Sequence, residues 1–195
     1  MFSQYKDKTN RSESPYEEYS YVLDFLPYGH PLTERTLMRS EPIAQVIGAN
    51  YFVLLEVVIR PGVNLTAREL VYIGRGVRDK VLRIRRKLTY NDLTISAKDE
   101  LPDVLDIIVT KQEKKFVEFF NIAGSLTTRL HSLQLLPGIG RKHLWIILEE
   151  RRIKPFENFE DIRLRTKISD PKKLIIKRII SELIDEDKYK LFVKS

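Results

Sequence analysis

The chain has 195 residues, 34 Lys and Arg against 27 Asp and Glu, a net charge of +7, 43% hydrophobic residues and no cysteine. That length holds one medium domain or two small ones, and the apolar share argues for a packed core and against fibrous or wholly disordered classes. Without cysteine there are no disulfides, thiolate zinc sites, iron–sulfur clusters or Cys nucleophiles.

Residues 1–17 are polar and unperiodic, which predicts a flexible tail without the apolar core of a signal peptide. From there to Gly76 the pattern is one of short strands. Tyr19–Leu26 ends at Pro27-Tyr28-Gly29, Ile43–Ile47 and Tyr51–Ile59 flank Gly48-Ala49-Asn50, and Glu69–Ile73 stops at Gly74-Arg75-Gly76. So many short strands in residues 18–76 suggest a small curled sheet or barrel, since a short sheet must close or be covered to hide its edges. An open sheet packed on the following helices is the alternative.

Val77–Leu88 fits two patterns. As a strand it sets Arg83, Arg85 and Lys87 on one face; as a helix it gathers Val77, Val81, Ile84 and Leu88 into an apolar stripe, and the helical spacing matches better. Residues 77–110 are accordingly expected to be basic and linking helices. Ser96 is a candidate cap and Pro102 suits a first helical turn, followed by Leu105 and Ile108. Residues 111–195 read as helical throughout. Phe116, Phe119 and Phe120 lead to Gly124, Ser125 opens a segment expected to be helical to Leu136, and Leu144, Ile147 and Leu148 mark the next helix until Pro155. Asn158 caps a short helix, and Ser169-Asp170-Pro171 opens the last. No apolar run approaches the ~20 residues needed to cross a bilayer, so a cytoplasmic protein with no membrane partner is expected.

The positive charge is not spread evenly. Residues 1–17 are net neutral, residues 18–76 carry −1 and residues 77–195 carry +8. An anionic partner should therefore meet the helical part. Within it, Leu136-Pro137-Gly138-Ile139-Gly140-Arg141-Lys142 is the most specific string. Pro137 stops a helix, Gly138 supplies a positive φ, Ile139 fills the gap between the two flanking helices, and Gly140 lets a foreign backbone approach without a Cβ in the way. Such a turn points free amides at the positive end of the next helix toward solvent, where a phosphodiester fits, and Arg141 and Lys142 add charge. A plain helix connector is the competing explanation. Arg78, Lys80, Arg83, Arg85, Arg86 and Lys87 form a second basic surface, to which Lys172 and Lys173 at the last helix's start are added.

This string resembles the hairpin of the helix-hairpin-helix family. The order of small β domain, basic segment, Lys115–Asn121, Arg129–Gly140 and Pro155–Ile162 is similar to that of an uncharacterised archaeal family, a domain of unknown function described as a predicted RNA-binding protein. The resemblance covers Tyr19 to Asp185 and implies an α+β, two-domain fold: an OB- or S1-like N-terminal barrel, then an all-α helix-hairpin-helix domain. It also implies RNA rather than DNA as the partner, and a turn that grips the backbone binds with little sequence preference. For the β domain, Tyr19, Tyr21, Phe25, Tyr28, Tyr51, Phe52 and Tyr72 are candidates for base stacking.

A catalytic constellation does not emerge. His30, His131 and His143 form no metal-binding spacing, and the pairs Asp99/Asp103, Asp103/Asp106 and Asp185/Asp187 are ordinary for surface helices and loops. The expectation is a non-enzyme with no cofactor, no metal and no small-molecule substrate. The alternatives are a module docking on a ribonucleoprotein or polymerase complex and, less favoured, a Mg²⁺-dependent nuclease. Trp145, off the main apolar face of its helix, either packs against a neighbouring helix or stays partly exposed for a partner contact, with core packing the default expectation.

Overall fold

The computed structural model describes residues 16–29, 41–184 and 188–194. The predicted strands appear as β1 (Tyr19–Leu26), β2 (Ile43–Gly48), β3 (Leu54–Ile59) and β4 (Leu70–Tyr72), joined by β5 (Val81–Lys87). All pair antiparallel in the order β4-β1-β2-β3-β5, a meander with one further strand on each edge. The sheet curls into a half-barrel. Val22, Val46, Val57, Val71 and Val81 fill its concave side with Leu65 and Ile73, a core of branched residues suited to a pleated surface. Beyond the hydrogen-bonded ladder, Lys80 pairs with Glu69 and the Arg78 guanidinium donates to the Gly74 carbonyl at 2.8 Å, so side chains draw the two edges together.

The segment 77–88 is a correction to the helical preference. β5 pairs with β3, setting Ile59 against Val81, Val58 against Arg83 and Glu56 against Arg86. The apparent helical stripe fails at its first member, because Val77 is exposed. A helix here would have left the β3 backbone unpaired along a buried strand, and ladder hydrogen bonds outweigh a four-residue coincidence of spacing.

Five helices follow: α1 (Ile95–Lys111), α2 (Glu113–Ile122), α3 (Arg141–Ile153), α4 (Phe159–Thr166) and α5 (Pro171–Ile184). They pack on the convex face of the sheet. Tyr21, Leu23, Ile47 and Leu54 from the strands share one apolar core with Leu105 and Ile108 of α1, Phe116 and Phe120 of α2, Ile147 of α3, Ile162 of α4 and Ile175 and Ile179 of α5. The protein is thus α+β, a curled sheet followed by a helical part.

The start of α1 is set by the sheet. Thr94, not Ser96, is the cap: its hydroxyl accepts from the Ala97 amide and donates to Asp24 at 2.6 Å, while buried Gln45 accepts from the Thr94 amide at 2.8 Å. Pro102 therefore lies inside α1 rather than in its first turn. Asn158 caps α4 as expected, accepting from the Asp161 amide at 2.8 Å. At the far end, buried Glu182 of α5 accepts the amides of Leu191, Phe192 and Val193 and pairs with Arg178, which fixes the last described segment to the helix.

The second correction is Ser125–Leu136, which is not a helix. Ser125–Thr127 (β6) and Leu130–His131 (β7) form a small hairpin, followed by a single 3-10 turn at Ser132–Leu135. Ser132 closes it by donating both its amide and its hydroxyl to the Gly124 carbonyl, and the Thr127 hydroxyl accepts from the Arg129 amide at the tip. Side-chain oxygens that bind nearby backbone compete with a helix, and here they win.

Candidate nucleic-acid interface

The stretch from Leu136 to Lys142 is a tight turn between the 3-10 turn and α3. Its two apolar residues are anchors: Leu136 is 1% and Ile139 5% exposed, and the Ile139 amide donates to the Leu136 carbonyl at 3.1 Å. Gly138 has φ of 89°, a conformation in which any Cβ is strained. Gly140 ends the turn as the residue before α3, and a Cβ built on it would meet nothing within 4 Å, so the space before it is open. Pro137, Gly138, Gly140, Arg141 and Lys142 are exposed. No side chain caps α3, whose first-turn amides therefore face outward from a helix 13 residues long. Among the described residues neither Arg141 nor Lys142 has an ion pair. The element before the turn differs from the expected one, being a 3-10 turn where the spacing predicts a helix.

The second basic surface is different in kind. Lys80 pairs with Glu69, Arg83 with Glu41 at 2.6 Å, and Arg86 with both Glu56 and Asp92. Arg85 also reaches Glu56, a carboxylate only 1% exposed, at 3.6 Å. Arg78 is held by the Gly74 carbonyl. At the start of α5, Lys172 pairs with Asp106 at 2.7 Å and Lys173 with Asp170. Of this group Lys87 alone lacks an ion pair or side-chain hydrogen bond among the described residues. Thr89, whose hydroxyl and amide both donate to Asp92, and to a lesser degree the Arg86 guanidinium hold the Asp92 carboxyl below its usual range.

Of the aromatic candidates in the sheet, Tyr21 and Phe52 are buried in the shared core and have no face for a base. Tyr19 and Tyr72 pack edge to face at 5.2 Å, and Lys194 covers Tyr51. Trp145 corrects the expectation of core packing, since it is 65% exposed on α3 one turn beyond Arg141. It borders a groove of about 520 Å³ between α3 and the β6–β7 hairpin, whose walls include Thr127, Arg129, Gln134, Arg141 and Leu148. Sequence reasoning missed Arg129 and the groove. The signal was the β-branched Thr127-Thr128 pair before Arg129, which favours a hairpin over a helix.

His131 lies at the base of this groove. Its Nδ1 accepts from the Leu133 amide at 3.2 Å, and burial, then the charge of Arg151, hold the imidazole below its ordinary value. Asp103 and Glu100 are bound by Arg68, and Asp106 by Lys172. Among the described residues no group of three or more His, Asp or Glu could hold a metal ion. His30, Asp185 and Asp187 lie outside the described residues. No helix of the described residues is long and apolar enough to cross a membrane.

Fold and site together define an α+β protein in which a half-barrel carries a helical part with an exposed, cationic Pro-Gly-Ile-Gly turn. The chain belongs to the family described as "Protein of unknown function (DUF655)", whose model matches residues 16–194. It is 46% identical over 189 residues to "Uncharacterized protein MJ0038" of Methanocaldococcus jannaschii, covering 96% of this chain and 84% of that protein. The crystal structure of Af1531 from Archaeoglobus fulgidus, of the same family, is similar at 54% identity with a TM-score of 0.85, covering 90% of this chain and 99% of that one.

Proposed function

We propose that this is a non-catalytic nucleic-acid-binding protein in which the turn Leu136–Lys142 holds a backbone phosphate. The observation that carries the reading is the pairing of buried anchors with an open rim. Leu136 and Ile139 fix the turn, while uncapped amides and two unpaired cations face a space that a Cβ at Gly140 would enter. This is the function of a helix-hairpin-helix turn, here with its first helix reduced to a 3-10 turn. The half-barrel, with β4 on β1 and β5 on β3, suits an OB-like barrel left partly open. RNA is preferred to DNA on the resemblance to the predicted RNA-binding family, and a ribonucleoprotein is the setting that follows. Neither a cofactor nor a small-molecule substrate has a role in this reading.

The test is fluorescence anisotropy with labelled single-stranded RNA, duplex RNA and duplex DNA across ~50 to 500 mM salt. Gly140→Glu is the cleanest variant, because φ at Gly140 is −84° and its Cβ space is empty, so the fold tolerates the change while the phosphate meets a carboxylate. Gly138→Glu would strain the turn and confuse the result. Loss of binding to every sequence alike supports the reading. Undiminished binding by Gly140→Glu overturns the site, and no binding by the wild type at ~50 mM salt favours a protein-docking module instead.

A further inference from the structure

Among the surface grooves formed by the described residues, three differ in charge. The groove between β3, β5 and α5 contains Glu182 beside its lysines. That between α1 and the α4–α5 connection contains Glu113, Glu160 and Asp170. The groove between the β6–β7 hairpin and α3 has two arginines, Arg129 and Arg141, and no carboxylate in its walls. Neither arginine has an ion pair among the described residues. The same groove carries an exposed indole, Trp145, and the amide of Gln134, which also accepts from the His131 amide at 3.0 Å.

A concave surface that carries both cationic groups and an exposed aromatic face fits a ligand with an anion and a π-face joined by a short linker. A nucleotide of an unpaired strand has that form; a duplex does not, because its bases are stacked on one another and its backbone alone faces outward. Arg141 is shared between the turn and the groove, and Trp145 is one helical turn from it on the same face of α3, so a strand whose phosphate sits at the turn has its neighbouring base at the indole. We infer that the groove between the β6–β7 hairpin and α3 stacks an unpaired nucleobase on Trp145, making the protein selective for single-stranded or locally unpaired nucleic acid. The inference rests on the phosphate-holding reading of the adjacent turn. Arg129 supplies charge to the next phosphate along the strand, and Thr127 and Gln134 provide polar groups for the base edge.

Trp145 is the only tryptophan in the chain, so its fluorescence reports the groove without labels. The wild type is titrated with oligouridylate, an abasic strand of equal length and charge, and an RNA duplex, with anisotropy of labelled strands measured in parallel. Oligouridylate should quench the indole; the abasic strand and the duplex should bind without quenching. Trp145→Ala should weaken oligouridylate binding about tenfold, Trp145→Phe should restore most of it, and neither should change duplex binding. Saturating binding without quenching, or an equal loss for uridylate and abasic strands in Trp145→Ala, overturns the inference. Quenching by an acidic peptide with none by oligouridylate overturns it in favour of a protein partner. If Gly140→Glu leaves binding intact while Trp145→Ala lowers it, the phosphate-holding reading fails and the groove stands; the reverse pattern fails the groove alone. No strand binding at all overturns both.

Discussion

Two basic regions of this protein differ in what their charges are free to do. Residues 78–87 hold six Lys and Arg, yet in β5 and the approach to it most are matched by Glu69, Glu41, Glu56 and Asp92. The turn at 137–142 holds only two, and both are unpaired among the described residues. A cation already hydrogen-bonded to a carboxylate must give up that partner before it can serve a phosphate, whereas an unpaired one releases only water and counterions. Charge density along a chain thus overstates a binding surface wherever strand pairing sets acids opposite bases.

Removing the anchor should produce the largest effect. Ile139→Ala empties a buried site at the centre of the turn and should destabilise the protein by about 2–4 kcal/mol, read from denaturant unfolding, with nucleic-acid binding abolished alongside. A β5 surface that dominates binding would leave affinity intact in the folded fraction. The comparison is drawn most directly by charge removal. Arg141→Ala with Lys142→Ala should lower affinity roughly 10-fold or more and flatten the salt dependence by about one unit for each phosphate that is no longer neutralised; Lys80→Ala with Arg83→Ala should change affinity by roughly twofold at most. The opposite ranking would make β5 the binding face.

A smaller change tests whether ion pairing keeps the β5 arginines from binding. Glu56→Gln keeps the shape of the buried side chain and removes the charge that occupies Arg85 and Arg86, so non-specific binding should rise roughly two- to threefold in the same anisotropy assay. An unchanged affinity would mean that ion pairing is not what holds those arginines back. The smallest effect concerns the floor of the groove. His131 in the folded protein lies below its ordinary value of 6.5, so the unfolded chain takes up the proton first. Its contribution to stability is complete above pH 6.5 and is lost as pH falls toward the folded value. Acidification from pH ~7.5 to ~5.5 should lower the wild-type melting temperature more than that of His131→Asn, which retains a side-chain acceptor for the Leu133 amide but does not titrate.

Much of the half-barrel was legible because glycines and prolines punctuate strands with branched, alternating residues, and the ends of β1 and β3 fall where Pro27 and Arg60-Pro61-Gly62 place them. The turn was legible for the same kind of reason: Gly138 and Ile139 have the backbone and burial that their residue types require. Segments 77–88 and 125–136 mislead because both carry apolar spacing compatible with a helix, and in each the decision came from a distant or backbone partner. β3 recruited residues 81–87, and the Gly124 carbonyl closed the hairpin through Ser132.

The sequence by itself therefore determined the order of sheet and helices, the place of the turn and its cationic rim, since these depend on local conformational preference and on residues adjacent in the chain. Only the tertiary structure decided which cations stay free, that Trp145 faces outward, and that Arg129 and Arg141 meet across one groove. Those depend on register and packing between segments far apart in sequence, and a carboxylate such as Glu56 finds its arginines only once β3 and β5 lie side by side.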